Sequence, residues 1–476
     1  MVQYRLGLLG LVCLLLAGCA ASSSLGTRYP HAGAHDREIS RDLVRMPQDL
    51  SVFAEQLDTI PLMTEDHQKN LADGYIREFY APWKRHASLF TAKEVFYFRY
   101  SYPKGRYGFA ENLRPIEPRA WQALLDNCNA EAFPSRSIHG IMVTNTALRA
   151  MPTHKPFFKN PDKAGEGYPF DYFSHAALWV GTPVFVSHIS HDGLWVYVET
   201  QRVSGWVPVR DVARVDESFM TRWRSLPLGA VMRDGVVLGS QHDYVSGRGA
   251  QSVMAHVGTL LPLQGADVLY PARSLDGRAL VHKASLQNLS LSPAVAGNTP
   301  ATQSSMAQGK SIQPYPVPLT AAALARVGNV MMGQPYGWGG YLDNRDCSAL
   351  MLDIFTPFGL WLPRNSGQQA KAGKVVSLAK LDASAKKALI RETGKPFTTL
   401  LWLPGHIVLY IGEYQGEPAI YHDIWGVRVQ DETGATSRGV IGKVAITSLS
   451  PGAELPLISS PASLLDRTGA MVFLGE

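Results

Sequence analysis

The sequence predicts a multi-domain protein, with a C-terminal α+β domain preceded by two small all-β modules and a partly helical N-terminal region. Three observations carry that reading. At 476 residues the chain is too long for one ordinary hydrophobic core. Over residues 168–292 it turns to short apolar-alternating runs broken by Asp192-Gly193, Asp234-Gly235 and Asp276-Gly277, which are hairpin signals. Beyond residue 318 helical patterning comes first and apolar strands follow, the order of an α+β domain. A hydrophobic content of 46% against 18% charged residues excludes a disordered chain. The net charge of +5 is dispersed, with no basic stripe interleaved with aromatics, which argues against nucleic acid and suits contact with an anionic polymer.

Residues 1–18 read as an export signal. Arg5 supplies the positive end, and residues 6–17 form an apolar run too short to span a bilayer comfortably. Leu16-Ala17-Gly18-Cys19, followed by Ala20-Ala21-Ser22-Ser23-Ser24, resembles the bacterial lipoprotein cleavage box. That resemblance implies cleavage before Cys19, its lipidation, and an exported chain held at the cell-envelope membrane by several acyl chains. Residues 19–40 read as a tether. Residues 41–150 form a mixed, partly helical domain in which Leu57, Ile60, Leu62, Leu71 and Ile76 are spaced loosely as on helix faces. With Cys13 in the signal and Cys19 lipidated, Cys128 and Cys347 remain, either as a bridge or with one kept as a reactive thiol.

The first all-β module is placed at 151–217. Its order of strand, Asp192-Gly193 turn, Trp195 strand and Gly205-Trp206-Val207-Pro208 resembles the bacterial SH3-like barrel. Residues 218–292 look like a second, diverged module of that kind. Residues 293–318 have linker composition, rich in Pro, Ala, Gly, Ser and Gln. His175, His188 and His191 fit no compact zinc motif and read as loop histidines.

Residues 319–476 carry the chemistry. Thr320 is expected to cap a helix from Ala321 to near Gly333. A second helix should start at Cys347 and run to Phe355, stopped by Pro357. Strands are expected over 399–403, 406–411, 419–422 and 426–430. Cys347 then sits in the first turn of a helix, where free amides and the dipole should lower its thiol pKa. The preceding glycine-rich loop, Tyr336-Gly337-Trp338-Gly339-Gly340, should let backbone approach a ligand. His406 opens a strand after Pro404-Gly405, and a hairpin centred on Gln415-Gly416 brings His422 across from it. A thiol, a base and a group orienting the base are the parts of a catalytic triad.

With Pro335 to Gly340, Asp346-Cys347-Ser348, Gly405-His406 and His422 in this order, residues 320–450 resemble the NlpC-type peptidases, papain-like cell-wall hydrolases with a Cys-His-His triad. Joined to SH3-like modules, the chain is similar to the γ-D-glutamyl-L-diamino acid endopeptidases, a likeness to which residues 168–172 and 362–366 add. The resemblance implies Cys347 as nucleophile, His406 as base and His422 as its orienting partner. It places Asp346 and Ser348 beside the nucleophile, Tyr336 at the oxyanion site, and Arg364, Asn365 and Ser366 at the substrate's free amino end. Asn365 stands where that family commonly has Asp, and an amide holds an ammonium less strongly than a carboxylate. Asp171 or Glu199 of the first barrel could supply the missing charge, and Tyr172 and Trp195 could wall the cleft. The implied substrates are peptidoglycan-derived peptides with a free N-terminal L-Ala, with no metal or cofactor and a monomeric chain. A non-catalytic wall-binding lipoprotein, and an N-acetylmuramoyl-L-alanine amidase or acyltransferase on the same scaffold, are the rival readings.

Overall fold

The computed structural model describes residues 41–57, 61–102, 107–161, 163, 166–239, 253–292, 310–430, 436–453 and 463–476. The expected export signal, Cys19 and the tether lie outside the described residues, as do Ile60 and most of the linker, 293–309.

The local codes of the C-terminal domain are realised closely. Thr320 accepts a hydrogen bond from the Ala323 amide and opens the helix Ala321–Met331. The helix Cys347–Phe355 is capped by Asp346. Both pack on a six-stranded antiparallel sheet, in the order Gly373–Ser377, Ala470–Leu474, Thr399–Leu403, His406–Tyr414, Glu417–Gln430, Thr436–Ser448. Leu403 pairs with His406 across the two-residue Pro404-Gly405 turn, with Gly405 at φ +81°. Tyr414 pairs with Glu417 across Gln415 and Gly416, both at positive φ, as a tight hairpin of right-handed twist demands. The two strands expected at 419–422 and 426–430 are one bulged strand, with its register shift between Ile424 and Gly426. Ile407, Leu409, Tyr421 and Ile446 face the helices, while Val408, Tyr410 and Ile420 face a smaller core on the other side.

The first all-β module is a seven-stranded antiparallel sheet, and it begins at Ile138, not at 151. The strands Ile138–Met142 and Thr146–Arg149 belong to it. Met142 and Leu148 share one core with Ala176, Val186, Val198 and Val212, so the sheet curls around a single interior that needs both early strands. The second module has a five-stranded sheet, completed by the linker strand Ile312–Pro314, and a three-stranded one.

The N-terminal region is helical and lies against the C-terminal domain. The helix Glu65–Phe79 buries Gln68, Ala72, Tyr75 and Phe79, so Leu71 and Ile76 are only partly buried at its edge. The Gln68 amide donates to the carbonyls of Val317 and Phe358 and accepts from the Leu319 amide, tying this helix to the peptide that enters the C-terminal domain. Asn329 reaches back to the Leu50 amide and to Asp49.

Candidate active site

Asp346 organises the start of the helix Cys347–Phe355. Its carboxylate accepts from the amides of Ser348 and Ala349, from the Ser348 hydroxyl and from the Gly339 amide. Arg364 adds a two-pronged ion pair, at 3.0 and 2.6 Å. Burial is the largest influence and works against the charge, but the Arg364 guanidinium, the Ala349 amide and the Ser348 hydroxyl together hold the carboxyl below its ordinary value. Ser348 also accepts from Arg364. Arg364, expected at the substrate's amino end, here spends both terminal nitrogens on Asp346 and Ser348 at the start of the Cys347–Phe355 helix. Asn365 is exposed at the start of the short helix Ser366–Gln369, with Ser366 half-buried beside it.

Cys347 is 7% exposed, and both it and Cys128 are free thiols. The thiol of Cys347 is pushed up to about 12, first by burial and then by the adjacent Asp346 charge; a hydrogen bond from the Ile407 amide only partly offsets this. The expectation of a lowered thiol pKa is corrected for a physical reason. Two amides of the helix start, those of Ser348 and Ala349, are already spent on the Asp346 carboxylate. The dipole is worth at most about 2 kcal/mol and is answered there by a negative charge.

The Ile407 amide is close enough to favour a charged sulfur, so Cys347 lies near the head of the strand that begins with His406. Burial, then the Arg467 charge, lowers the His406 imidazole to about 4. His406 Nε2 lies 3.0 Å from His422 Nδ1. His422 is fully buried and held well below its ordinary value by burial and by His406. Its Nε2 meets the Thr447 hydroxyl at 3.0 Å. Burial thus works against charge on the Cys347 thiol and on both imidazoles. A thiolate and an imidazolium would form together, by proton transfer from one to the other.

Tyr336 is half-buried, and its phenol is raised well above 10 by burial and by the neighbouring Cys347, Asp346 and Asp423. It keeps its proton and can act as a donor. Its ring joins an aromatic rim shared between domains. Phe170, from the first β module, lies 5.2 Å from Trp338, 6.3 Å from Tyr336 and 6.2 Å from Trp425. Tyr172 packs on Trp338 at 5.8 Å, and Tyr168 reaches Trp425 at 6.4 Å.

The glycine-rich loop makes its close approach to the barrel and not to an open cleft. A Cβ on Gly339 would lie 2.1 Å from the Ser174 carbonyl oxygen, and one on Gly340 2.1 Å from the Ala177 amide, both at positive φ. The barrel's other expected contributions fail. Asp171 is buried in an ion pair with Arg149 at 2.7 Å and accepts from the Phe157 and Phe173 amides. Glu199, fully buried, is held by Arg85, Ser88 and the Leu89 amide. Neither carboxylate can meet a substrate amine. Trp195 is buried in the cluster between the barrel and the N-terminal region, with Phe98 and Trp121, and against His154. Tyr172 alone of these four reaches the rim.

Thr447 and Arg345 had no signal strong enough to mark them in the sequence, and Asp423 was expected only to help shape the cleft. Thr447 sits in an ordinary alternating strand. Asp423 is fully buried, and neither of its oxygens has a partner among the described residues. Arg345 bonds Asp234 of the second β module and Asp353 of the helix Cys347–Phe355.

Residues 333–416 match the NlpC/P60 family, residues 8–133 the NLPC_P60 stabilising domain, N term, and residues 156–208 the SH3 domain of SH3b1 type. A solved NlpC/P60 endopeptidase from Photobacterium damselae subsp. piscicida is similar over 90% of this chain and 97% of its own, at 26% identity and a TM-score of 0.78. A Gamma-D-glutamyl-L-lysine dipeptidyl-peptidase from Bacillus subtilis (strain 168) is 37% identical over 94 residues, 20% of this chain and 30% of that relative.

Proposed function

We propose, from the premise that this chain carries the NlpC/P60 domain of a peptidoglycan hydrolase family together with its stabilising and SH3 domains, that it is a cysteine endopeptidase cutting the γ-D-glutamyl amide of peptidoglycan-derived peptides before the L-diamino acid. The observation that carries the chemistry is the His406–His422 bond at 3.0 Å, made from the strand whose Ile407 amide lies near the Cys347 thiol. As the Cys347 sulfur attacks the γ-carbonyl carbon, its proton passes to His406. The carbonyl oxygen becomes an oxyanion, to which the protonated Tyr336 hydroxyl donates. His406 returns the proton to the leaving amine, the C–N bond breaks, and a thioester remains. Water, deprotonated by His406, attacks the thioester and restores the thiol.

The rim formed by Phe170, Tyr168, Trp338 and Trp425 supports selection for a short peptide. A loop from another domain laid over one end of the site leaves little room for a glycan-linked stem. The free L-alanine ammonium would meet aromatic faces and the exposed Asn365 amide, because Asp171 and Glu199 are committed elsewhere. The test compares L-Ala-γ-D-Glu-diamino acid peptides with the amine free or acetylated, with products read by mass spectrometry. Acetylation should cut kcat/KM at least about tenfold, and Cys347→Ala should abolish turnover. Equal rates would remove the amine preference, and release of L-alanine from muramic acid would make the protein an amidase. The same reading extends to export and lipid anchoring at Cys19; a Cys19→Ala variant still recovered with membranes would refute the anchor.

A further inference from the structure

The Thr447 side chain is fully buried and its oxygen has two neighbours, His422 Nε2 at 3.0 Å and the Ser448 carbonyl oxygen at 2.8 Å. A carbonyl can only accept, so the hydroxyl proton goes to Ser448. Toward His422 the Thr447 oxygen must then be the acceptor, and His422 must carry its proton on Nε2. A neutral imidazole has one ring proton. His422 Nδ1 is left as a lone pair, and it accepts from His406 Nε2 at 3.0 Å. His406 in turn keeps Nδ1 unprotonated, which is the state that can take the thiol proton. Reversing the single hydroxyl reverses the whole row. His422 would donate from Nδ1, His406 would carry its proton on Nδ1, and the base would be blocked.

What holds the hydroxyl in this sense is the edge of the sheet. Thr436–Ser448 is the last strand of the six, so one side of its backbone has no strand neighbour. The N-terminal segment covers that side at the residues flanking Thr447. The Gln48 amide donates to the Ile446 carbonyl at 2.8 Å and accepts from the Ile446 amide at 3.0 Å, as a further strand would. Asp42 accepts from the Ser448 amide at 3.0 Å and from its hydroxyl at 2.7 Å. The carbonyl that takes the Thr447 proton therefore belongs to a residue clamped by Asp42.

We propose that Thr447 is a positioning residue that sets the tautomers of His422 and His406, and that Asp42 and Gln48 of the N-terminal region hold it in that role. This rests on His406 acting as the base of the proposed peptidase, but its test does not need turnover. In the full chain, the ¹⁵N imidazole spectrum should show His422 protonated on Nε2 and His406 on Nε2. Thr447→Val keeps the shape and removes the hydroxyl, and it should slow alkylation of Cys347 by iodoacetamide at neutral pH and lower kcat at least about tenfold with KM little changed. Thr447→Ser should restore both rates, which a purely packing role would not predict. Gln48→Ala should give a smaller loss of the same kind. A wild-type spectrum with His422 protonated on Nδ1 would overturn the proposal even if Thr447→Val failed to fold. So would a folded Thr447→Val variant with unchanged alkylation and kcat. Normal alkylation effects without peptide hydrolysis by the wild type would instead count against the substrate assignment and leave the relay standing.

Discussion

Arg345 offers the sharpest test of how the domains are held around Cys347. It is 3% exposed and immediately precedes the Asp346 cap. Its guanidinium donates to Asp353 at 2.7 Å, to both oxygens of Asp234 at 2.7 and 2.9 Å, to Gln334 at 2.9 Å and to the Val257 carbonyl at 3.0 Å. Trp179 of the first β module packs its ring against the guanidinium and donates to Asp353. One cation thus joins the catalytic domain to both β modules. Arg345→Met would fill similar space but leave two carboxylates facing each other without it. Asp353 is already raised by burial and can hold a proton. In the wild type the Arg345 charge holds Asp234 well below the ordinary carboxyl value against its own burial, and Arg345→Met removes that support, leaving Asp234 either charged at a cost or forced to take up a proton.

Removing one member of a buried ion pair costs about 3–5 kcal/mol. The lower end applies, because Asp234 keeps the Val257 amide at 2.8 Å and the Gln334 amide at 2.6 Å. The sign follows from Asp234. Its folded value is depressed, so its contribution is present above the unfolded value of about 3.9 and fades as pH falls through the folded one. Urea unfolding of the full chain at pH 7 should show Arg345→Met destabilised by about 3 kcal/mol, with the gap narrowing toward pH 3. Adding Asp234→Asn to that variant should recover at least about 1 kcal/mol, since the orphan charge goes with it. A loss under about 1 kcal/mol at pH 7, or no recovery in the double variant, would refute this account.

Two further outcomes are expected. Asp423 is buried with neither oxygen partnered, and burial followed by the Asp346 charge raises its carboxyl well above the ordinary value. A raised folded value means stability is lost as pH climbs from the unfolded value, so the Tm advantage of Asp423→Asn should be near zero at pH 4 and grow toward pH 8; a gap independent of pH would contradict this. Phe170→Ala opens the rim from the barrel side without touching Cys347 or either histidine. It should raise the relative rate on amine-blocked peptides while leaving iodoacetamide alkylation unchanged, and unaltered discrimination would show that the rim does not select.

What was legible in the sequence was local. Thr320, Asp346, Pro404-Gly405 and Gln415-Gly416 act on neighbours a few residues away, and each helix start and hairpin fell where they put it. The pairing of His406 with His422 was suggested by a likeness of motifs and not by spacing, since the 406–422 separation fixes no register by itself. The barrel's roles were misread because its charged residues answer partners far along the chain. Asp171 looks free until Arg149 is seen against it, and Glu199 until Arg85, Ser88 and Leu89 are. The strands Ile138–Met142 and Thr146–Arg149 are short and flank no strong turn signal, so they merged into the helical region before them.

The same distinction explains why the accessory domains matter to the chemistry. The proposed site needs a cap for the Cys347 helix, a fixed sheet edge behind His422 and a wall for the cleft; the cap's own bonds lie within residues 319–476, but its setting, the sheet edge and the wall draw on the other domains. The cap stands beside Arg345, whose main charge partner lies in the second β module. The glycine loop that feeds the cap is seated on the Ser174–Leu178 strand of the first module, where any larger residue would collide. The sheet edge behind His422 is finished by Gln48 and Asp42 of the N-terminal region. Each contact is polar, buried or close-packed, and each bears on a different part of the site. Loss of one domain should therefore disturb the nucleophile, the base or the wall separately, and the domains are better regarded as parts of one active site than as a catalytic unit with passive anchors.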